Sequence, residues 1–320
     1  MKILIASPID PSALDSLSGE HDVRRAINAP EDLLTEAIRD REVVVFRSGV
    51  RISAGVMQQG PELRLLVRAG SGLDNVDVGY VRERGIRLVR IPGSSAQPVA
   101  ELTFALMLAA ARNVAHADKL VRQGRWPKSE LGGPLLAGKA LGIVGAGNIG
   151  RRVGELGAAW GMRSIGCVKH PSEKVAAALN GRGITLTDFE TVVNEADFLS
   201  VHVPLNDSTY HMIDTAVLSE MKEGSFLINM ARGGVVDDQA LYRELTNGKT
   251  LRGAALDVHE REGEGTVPRL AELPNVVLTP HIGAMAVDAQ REIGRRVIEL
   301  VDAFGRGALD QATKDGELVA

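Results

Sequence analysis

Three segments each end an aliphatic run with side chains that could act on a small organic acid. Asn229-Met230-Ala231-Arg232-Gly233-Gly234 follows the run 226–229, and the planar fork of Arg232 suits two-point pairing with a carboxylate. Pro280-His281-Ile282-Gly283 follows the run 276–279. Histidine titrates near neutral pH and can exchange a proton with a substrate oxygen. Leu256-Asp257-Val258-His259-Glu260-Arg261-Glu262-Gly263-Glu264 offers several carboxylates after a third run. A carboxylate beside His281 would favour its charged form and fix its orientation. Each has a bland alternative: an interdomain salt bridge, a structural histidine, a solvated acidic loop. Arginine, acid and histidine at three strand ends form a constellation that favours chemistry.

A fourth segment supplies a cofactor signal. Leu141-Gly142-Ile143-Val144-Gly145-Ala146-Gly147-Asn148-Ile149-Gly150 reads as strand, G-x-G-x-x-G and helix. Gly145 permits the tight turn, Gly147 lets backbone approach a pyrophosphate, and Gly150 lets helix pack close to strand. Both flanks match the context that dinucleotide binding requires. The second strand of such a unit normally ends in an acid that grips the ribose 2′-hydroxyl. Here Cys167-Val168-Lys169-His170-Pro171 has none, and Lys169 and His170 would attract a 2′-phosphate. The expected cofactor is NAD or NADP, with NADP mildly favoured.

Positioning these residues takes a repeated scaffold. Ten short aliphatic runs (2–6, 43–46, 65–67, 86–89, 141–144, 164–168, 198–201, 226–229, 253–256, 276–279) alternate with helical patterns. Continuous apolar strands alternating with helices mean parallel sheets covered on both faces. Ten strands in 320 residues call for two sheets and two α/β domains. Long helical patterns at 98–122 and 287–304 mark the crossovers. The first domain is therefore expected to be discontinuous, 1–98 plus 286–320, around a dinucleotide-binding domain at 99–285, with a ligand cleft between them. Lys plus Arg is 37 against 41 Asp plus Glu, a net charge of −4, which disfavours nucleic acid as a partner. The single cysteine, Cys167, excludes an internal disulfide and a cysteine-rich zinc site, and no metal is expected. No run approaches the roughly 20 apolar residues of a membrane span, nor the apolar core of an export signal. The expectation is a soluble cytoplasmic protein.

VRAGSGLDNVDV (67–78), PVAELTFALMLAAAR (98–112), LGIVGAGNIGRRVGELGAAWGM (141–162), HVPLNDSTYHMI (202–213), INMARGGVVDDQAL (228–241), GAALDVHEREG (253–263) and NVVLTPHIGA (275–284) cover nearly the whole chain. In these segments the sequence resembles the D-2-hydroxyacid dehydrogenases, most of all the phosphoglycerate dehydrogenase-like branch. The resemblance implies two doubly wound parallel sheets, a Rossmann-type cofactor domain and a flavodoxin-like substrate domain. It implies an NAD(P)-dependent oxidoreductase that moves a hydride between nicotinamide and a small D-2-hydroxy or 2-keto acid.

Carried over residue by residue, Arg232 binds the substrate carboxylate and keto oxygen, His281 is the acid/base and Glu262 pairs with it. Asp257 meets the nicotinamide end, and Asn148 and Ile149 meet the pyrophosphate. Val168, Pro204, Met230, Ala231 and Gly283 line the cofactor groove. The amides around Ser71 and Gly72 hold the substrate carboxylate. A homodimer through the cofactor domain, with residues 112–126 crossing to the partner, is also implied. Gly263 stands where the family usually has proline after the catalytic glutamate, and Met285 where a small hydroxyl residue is common. Glu260 and Glu264 compete with Glu262 for the pairing. Arg47 and Arg68 match positions where phosphoglycerate dehydrogenases keep cations. They extend the expected substrates to acids with a second anionic group such as 3-phosphoglycerate. Glyoxylate or hydroxypyruvate reduction is the alternative. Formate dehydrogenase shares the fold but should carry glutamine in place of Glu262. A corepressor-like dinucleotide-sensing scaffold would keep the same three residues.

Overall fold

Twelve strands lie in parallel pairs in two separate sheets of the computed structural model, which describes all 320 residues. The chain divides into two compact units, Met1–Ser95 with Ala284–Ala320, and Ala96–Gly283.

The first unit holds β1 (Lys2–Ile5), β2 (Asp22–Arg25), β3 (Val43–Phe46), β4 (Leu65–Arg68) and β5 (Arg87–Arg90), in the order β2-β1-β3-β4-β5. That is a doubly wound, flavodoxin-like order. The three central strands are buried on both faces, as their Val, Ile and Leu content requires. The first helix, Pro11–Glu20, starts on a side-chain cap: Asp10 accepts from the amides of Ser12 and Ala13, with Pro11 in the first turn. The helix Val287–Gly305 buries Ile293, Val297, Leu300 and Val301 against Ile3, Ile5, Val43 and Val45. Each such side chain contributes on the order of 2 kcal/mol. Gly294 allows this approach, because a Cβ there would press on Asp10 and Ala13.

The second unit holds β6 (Ala140–Val144), β7 (Arg163–Cys167), β8 (Ile184–Leu186), β9 (Phe198–Val201), β10 (Ser225–Asn229), β11 (Leu251–Leu256) and β12 (Val276–Leu278). Their order is β12-β11-β10-β9-β6-β7-β8, the Rossmann order with a seventh strand. The strand order reverses between β6 and β9, where ligands bind at the carboxyl ends of the strands in open α/β sheets.

All ten aliphatic runs are strands, and two further strands join them. β2, Asp-Val-Arg-Arg, is an exposed edge strand without a hydrophobic run, and β8 has three residues. The pattern at 98–122 is two helices, Ala96–Ala111 and Val114–Arg122. Asn113 between them has φ +54°, a left-handed conformation that asparagine tolerates and that ends helical hydrogen bonding. No helix is long and apolar enough to cross a membrane.

Candidate active site

The glycine turn between β6 and the helix Asn148–Ala159 is built by exclusion. Gly145 has φ +93°, and a Cβ there would meet the carbonyl oxygen of His202 at 2.8 Å. Its amide and that of Ala146 both donate to the carbonyl of Cys167, which ties the turn to β7. A Cβ on Gly150 would overlap the Gly145 carbonyl. Gly147 is different: it is exposed, and a Cβ there would meet nothing within 4 Å. It caps the helix with no side-chain acceptor for the first-turn amides, which Asn148 and Ile149 begin. An open glycine in front of uncapped helix amides fits a pyrophosphate. Past β7, Val168 is half-buried while Lys169 and His170 are exposed, and Lys169 Nζ donates to Ser208 Oγ at 3.4 Å. Pro204 is exposed beyond β9.

The other chemistry-bearing residues follow β10, β11 and β12, which are neighbours in the sheet. After β10, the Asn229 side chain fixes the turn: its Oδ1 accepts from the Ala231 amide and its Nδ2 donates to the Arg232 carbonyl, each at 3.1 Å. Met230 and Ala231 are buried, while the half-buried Arg232 guanidinium donates to the Ala231 carbonyl at 2.8 Å.

After β12, His281 has φ +56°, and its Nδ1 lies 2.9 Å from Glu262 Oε2. Glu262 Oε1 accepts from the His259 amide at 3.2 Å. Burial pushes the Glu262 carboxyl upward, but the hydrogen bond and charge of His281 and the His259 amide outweigh it, so its pKa lies below the ordinary value. With Nδ1 on the carboxylate, Nε2 is the ring nitrogen left to meet a substrate. Of the three competing acids, Glu262 makes this pair, Glu260 pairs with His211 at 2.8 Å, and Glu264 is exposed.

Asp257, 2% exposed, has both carboxylate oxygens committed to the histidine turn. Oδ1 accepts from Thr279 Oγ1 at 2.6 Å and the Ile282 amide at 2.9 Å, and Oδ2 from the Gly283 amide at 2.7 Å. Its backbone carbonyl accepts from the His281 amide at 2.8 Å. It therefore folds the turn from beneath, a task its place in the sequence did not signal. Gly283 leaves room there for Met230 and Val99, which a Cβ would crowd. His259 Nε2, 2.9 Å from the Thr279 carbonyl, ties the acidic loop to the same turn. Nothing in the residue types of Asn229, His259 and Thr279 marks them in the sequence, and their adjacency to the reactive residues is the only signal there.

In the first unit, Arg47 follows β3. Its amide donates to Ser7 Oγ at 2.9 Å, and its guanidinium lies 3.2 Å from Met285 Sδ. No carboxylate pairs with it, and burial lowers its pKa. Arg68, 4% exposed, ends β4 with its guanidinium over Gly70. Ser71 Oγ bonds to the Pro92 carbonyl and to Ser95 Oγ, and the half-buried Gly72 follows it.

The model for the D-isomer specific 2-hydroxyacid dehydrogenase NAD binding domain matches residues 104–283. The chain is 38% identical over 303 residues to hydroxypyruvate reductase of Thermotoga maritima, covering 94% of this chain and 97% of that one. It is 39% identical over 310 residues to D-3-phosphoglycerate dehydrogenase of Methanocaldococcus jannaschii, covering 97% of this chain and 58% of that longer protein. The crystal structure of D-lactate dehydrogenase from Aquifex aeolicus with NAD and lactic acid superposes with a TM-score of 0.86 at 29% identity, covering 100% of this chain and 99% of that one. The chain belongs to the D-isomer specific 2-hydroxyacid dehydrogenases, oxidoreductases that act on CH–OH groups with NAD, and within them is like the phosphoglycerate dehydrogenases.

Proposed function

We propose that the chain interconverts a small D-2-hydroxy acid and its 2-keto acid, with Arg232, Glu262 and His281 as the catalytic set. The observation that carries this is the His281 Nδ1–Glu262 Oε2 contact of 2.9 Å, beside an arginine turn, in a sheet that opens on an uncapped glycine turn. When bound, the dinucleotide supplies or takes the hydride. The protein's own work is positional and protonic. Arg232 pairs with the substrate carboxylate and polarises the keto oxygen. His281 Nε2 gives the proton that this oxygen needs as hydride reaches carbon, or takes it back in oxidation. Glu262 holds the ring and offsets its positive charge. Asp257 acts through the turn it folds. We assign the cofactor role to 99–285 and the substrate role to 1–98 with 286–320, the amides at Ser71 and Gly72 holding the carboxylate.

Two finer choices follow from single observations. Arg47, charged and without a carboxylate partner, calls for an anion. With Arg68 it supports a substrate carrying a second anionic group. The near full-length likeness to a hydroxypyruvate reductase supports the smaller substrates as the second reading. The exposed Lys169 and His170, with no acid after β7, support NADPH over NADH. Exposed Val114, Val121, Trp126 and Leu135 support a homodimer through the second unit, checked by light scattering. The experiment is an assay of NADH and NADPH against 2-keto acids with and without a second anionic group. NADPH preference with turnover only of dianionic acids supports both finer choices. Strict use of NADH with glyoxylate or hydroxypyruvate overturns both and leaves the catalytic set. Loss of less than tenfold in turnover for His281→Ala overturns the catalytic set.

A further inference from the structure

His211 and Glu260 sit outside the catalytic set, yet both touch the loops that carry it. His211 has φ +50°, a left-handed conformation uncommon outside glycine that histidine adopts more readily than most residues, and its amide donates to the Gly234 carbonyl at 2.7 Å. Gly234 ends the turn that presents Arg232. The His211 ring stacks on Tyr210, with centroids 4.0 Å apart and planes 15° apart, and its Nε2 meets Glu260 Oε1 at 2.8 Å. Glu260 stands two residues before Glu262. The same Oε1 accepts from the Asp238 amide at 3.3 Å, and the Glu260 amide donates to Asp238 Oδ2 at 3.4 Å. Asp238 begins the helix Asp238–Asn247, whose cap is Asp237. A Cβ on Gly233 would overlap the His259 carbonyl, so the arginine turn and the acidic loop lie backbone against backbone.

We propose that His211 and Glu260 are positioning residues that clamp the Arg232 turn and the Glu262 loop to each other and to the helix Asp238–Asn247. This rests on the catalytic set proposed above. His211 reaches one loop through its backbone and the other through its ring, so a shift of either loop must break one of its bonds. His211, Asp237 and Glu260 also bring ligand-type atoms within 4.8 Å of one another, as a cation site would. The donors are already engaged: Nε2 and Oε1 with each other, and Asp237 Oδ1 with the amides of Gln239 and Ala240. The engaged donors favour a clamp over a metal.

Because the pair is about a third exposed, at 30% and 36% of side-chain area, its loss should leave the fold intact. Glu260→Ala should lower kcat about tenfold, with the KM for cofactor changed less than twofold. Glu260→Gln, which still accepts from both partners, should recover most of that loss. His211→Asn, which tolerates the left-handed backbone but cannot reach Glu260, should match Glu260→Ala. The double variant should be no worse than either single one, because coupled residues do not add. Amide exchange at 258–263 should rise in Glu260→Ala and not in Glu260→Gln. Additive losses, a normal kcat in Glu260→Ala, or unchanged exchange overturns the clamp. So does a wild-type rate abolished by chelator, which would put a metal at these donors. If His281→Ala keeps its turnover, the catalytic set fails instead, and the exchange measurement still decides the clamp.

Discussion

Replacing Asp257 by asparagine changes no shape and removes one charge beneath the histidine turn. The carboxylate accepts three hydrogen bonds, from Thr279 Oγ1, the Ile282 amide and the Gly283 amide. Asparagine cannot accept all three. With its nitrogen at the Oδ2 position, it faces the Gly283 N–H. With its nitrogen at Oδ1, the Thr279 hydroxyl can rotate to accept, but the Ile282 N–H is left facing a donor. Either way one buried amide loses its acceptor, at about 1.5–3 kcal/mol for a bond to a charged group. The surviving bonds lose their charge assistance, worth roughly half their strength. A total near 3 kcal/mol is therefore expected. Since about 1.4 kcal/mol is a tenfold change in rate, full expression at His281 would lower kcat by about a hundredfold. The assay is steady-state turnover with a 2-keto acid beside thermal unfolding. A kcat within twofold of wild type would refute the role of Asp257 in placing His281. If Tm fell while kcat held, Asp257 would be a stabilising residue only.

Three further outcomes follow from the same geometry. Gly147→Ala places its Cβ in open space, so Tm should hold within about a degree while dinucleotide affinity falls tenfold or more. Gly150→Ala presses on the Gly145 carbonyl and should cost about 1–3 kcal/mol of stability as well; equal behaviour of the two variants in thermal shift and cofactor titration would refute the contrast. His202 is held neutral by burial, its pKa lowered from 6.5 to about 3, with Nε2 2.8 Å from Ser200 Oγ. The unfolded chain then binds the extra proton first, so stability is fully present above about pH 6.5 and falls as pH drops toward 3. His202→Gln should flatten that part of the Tm–pH curve relative to wild type, and parallel curves would count against the assignment. Glu317→Ala leaves the buried Arg296 guanidinium without its main partner. A loss of about 3–5 kcal/mol is expected, read as faster proteolysis of 313–320, where Leu318 bridges Val89; unchanged cleavage would show that the tail is held without the pair.

What could be read before the structure divides along a physical line. Parallel strands buried on both faces must be aliphatic throughout, so β1, β3, β4 and β6 announce themselves. An edge strand carries no such demand, and β2, with Asp22, Arg24 and Arg25, is invisible to a hydrophobic pattern. The break at Asn113 was hidden because a single left-handed residue interrupts hydrogen bonding without interrupting apolar periodicity. At the site, Arg232 and His281 stood out because each is alone at the end of a strand.

By residue type the acid does not stand out, because three glutamates within five residues are equivalent until the loop is folded around them; only the resemblance to the family points to Glu262. What separates them is contact with distant chain. Glu262 faces the turn after β12, while Glu260 faces His211, 49 residues away. Asp257 shows the same limit from the other side. The resemblance implies that it meets the nicotinamide end of the cofactor, and folding adds a second task, because its carboxylate accepts from residues 22 to 26 positions onward. Local sequence thus identifies the groups with the right chemistry. Which of them acts, and which holds the actor in place, is decided by the donors and acceptors that each meets after folding. The Asp257→Asn and Glu260→Ala variants test the holders on that basis, since both leave Arg232, Glu262 and His281 untouched, and a lowered kcat with an unchanged KM for cofactor places the effect in the loops that carry them.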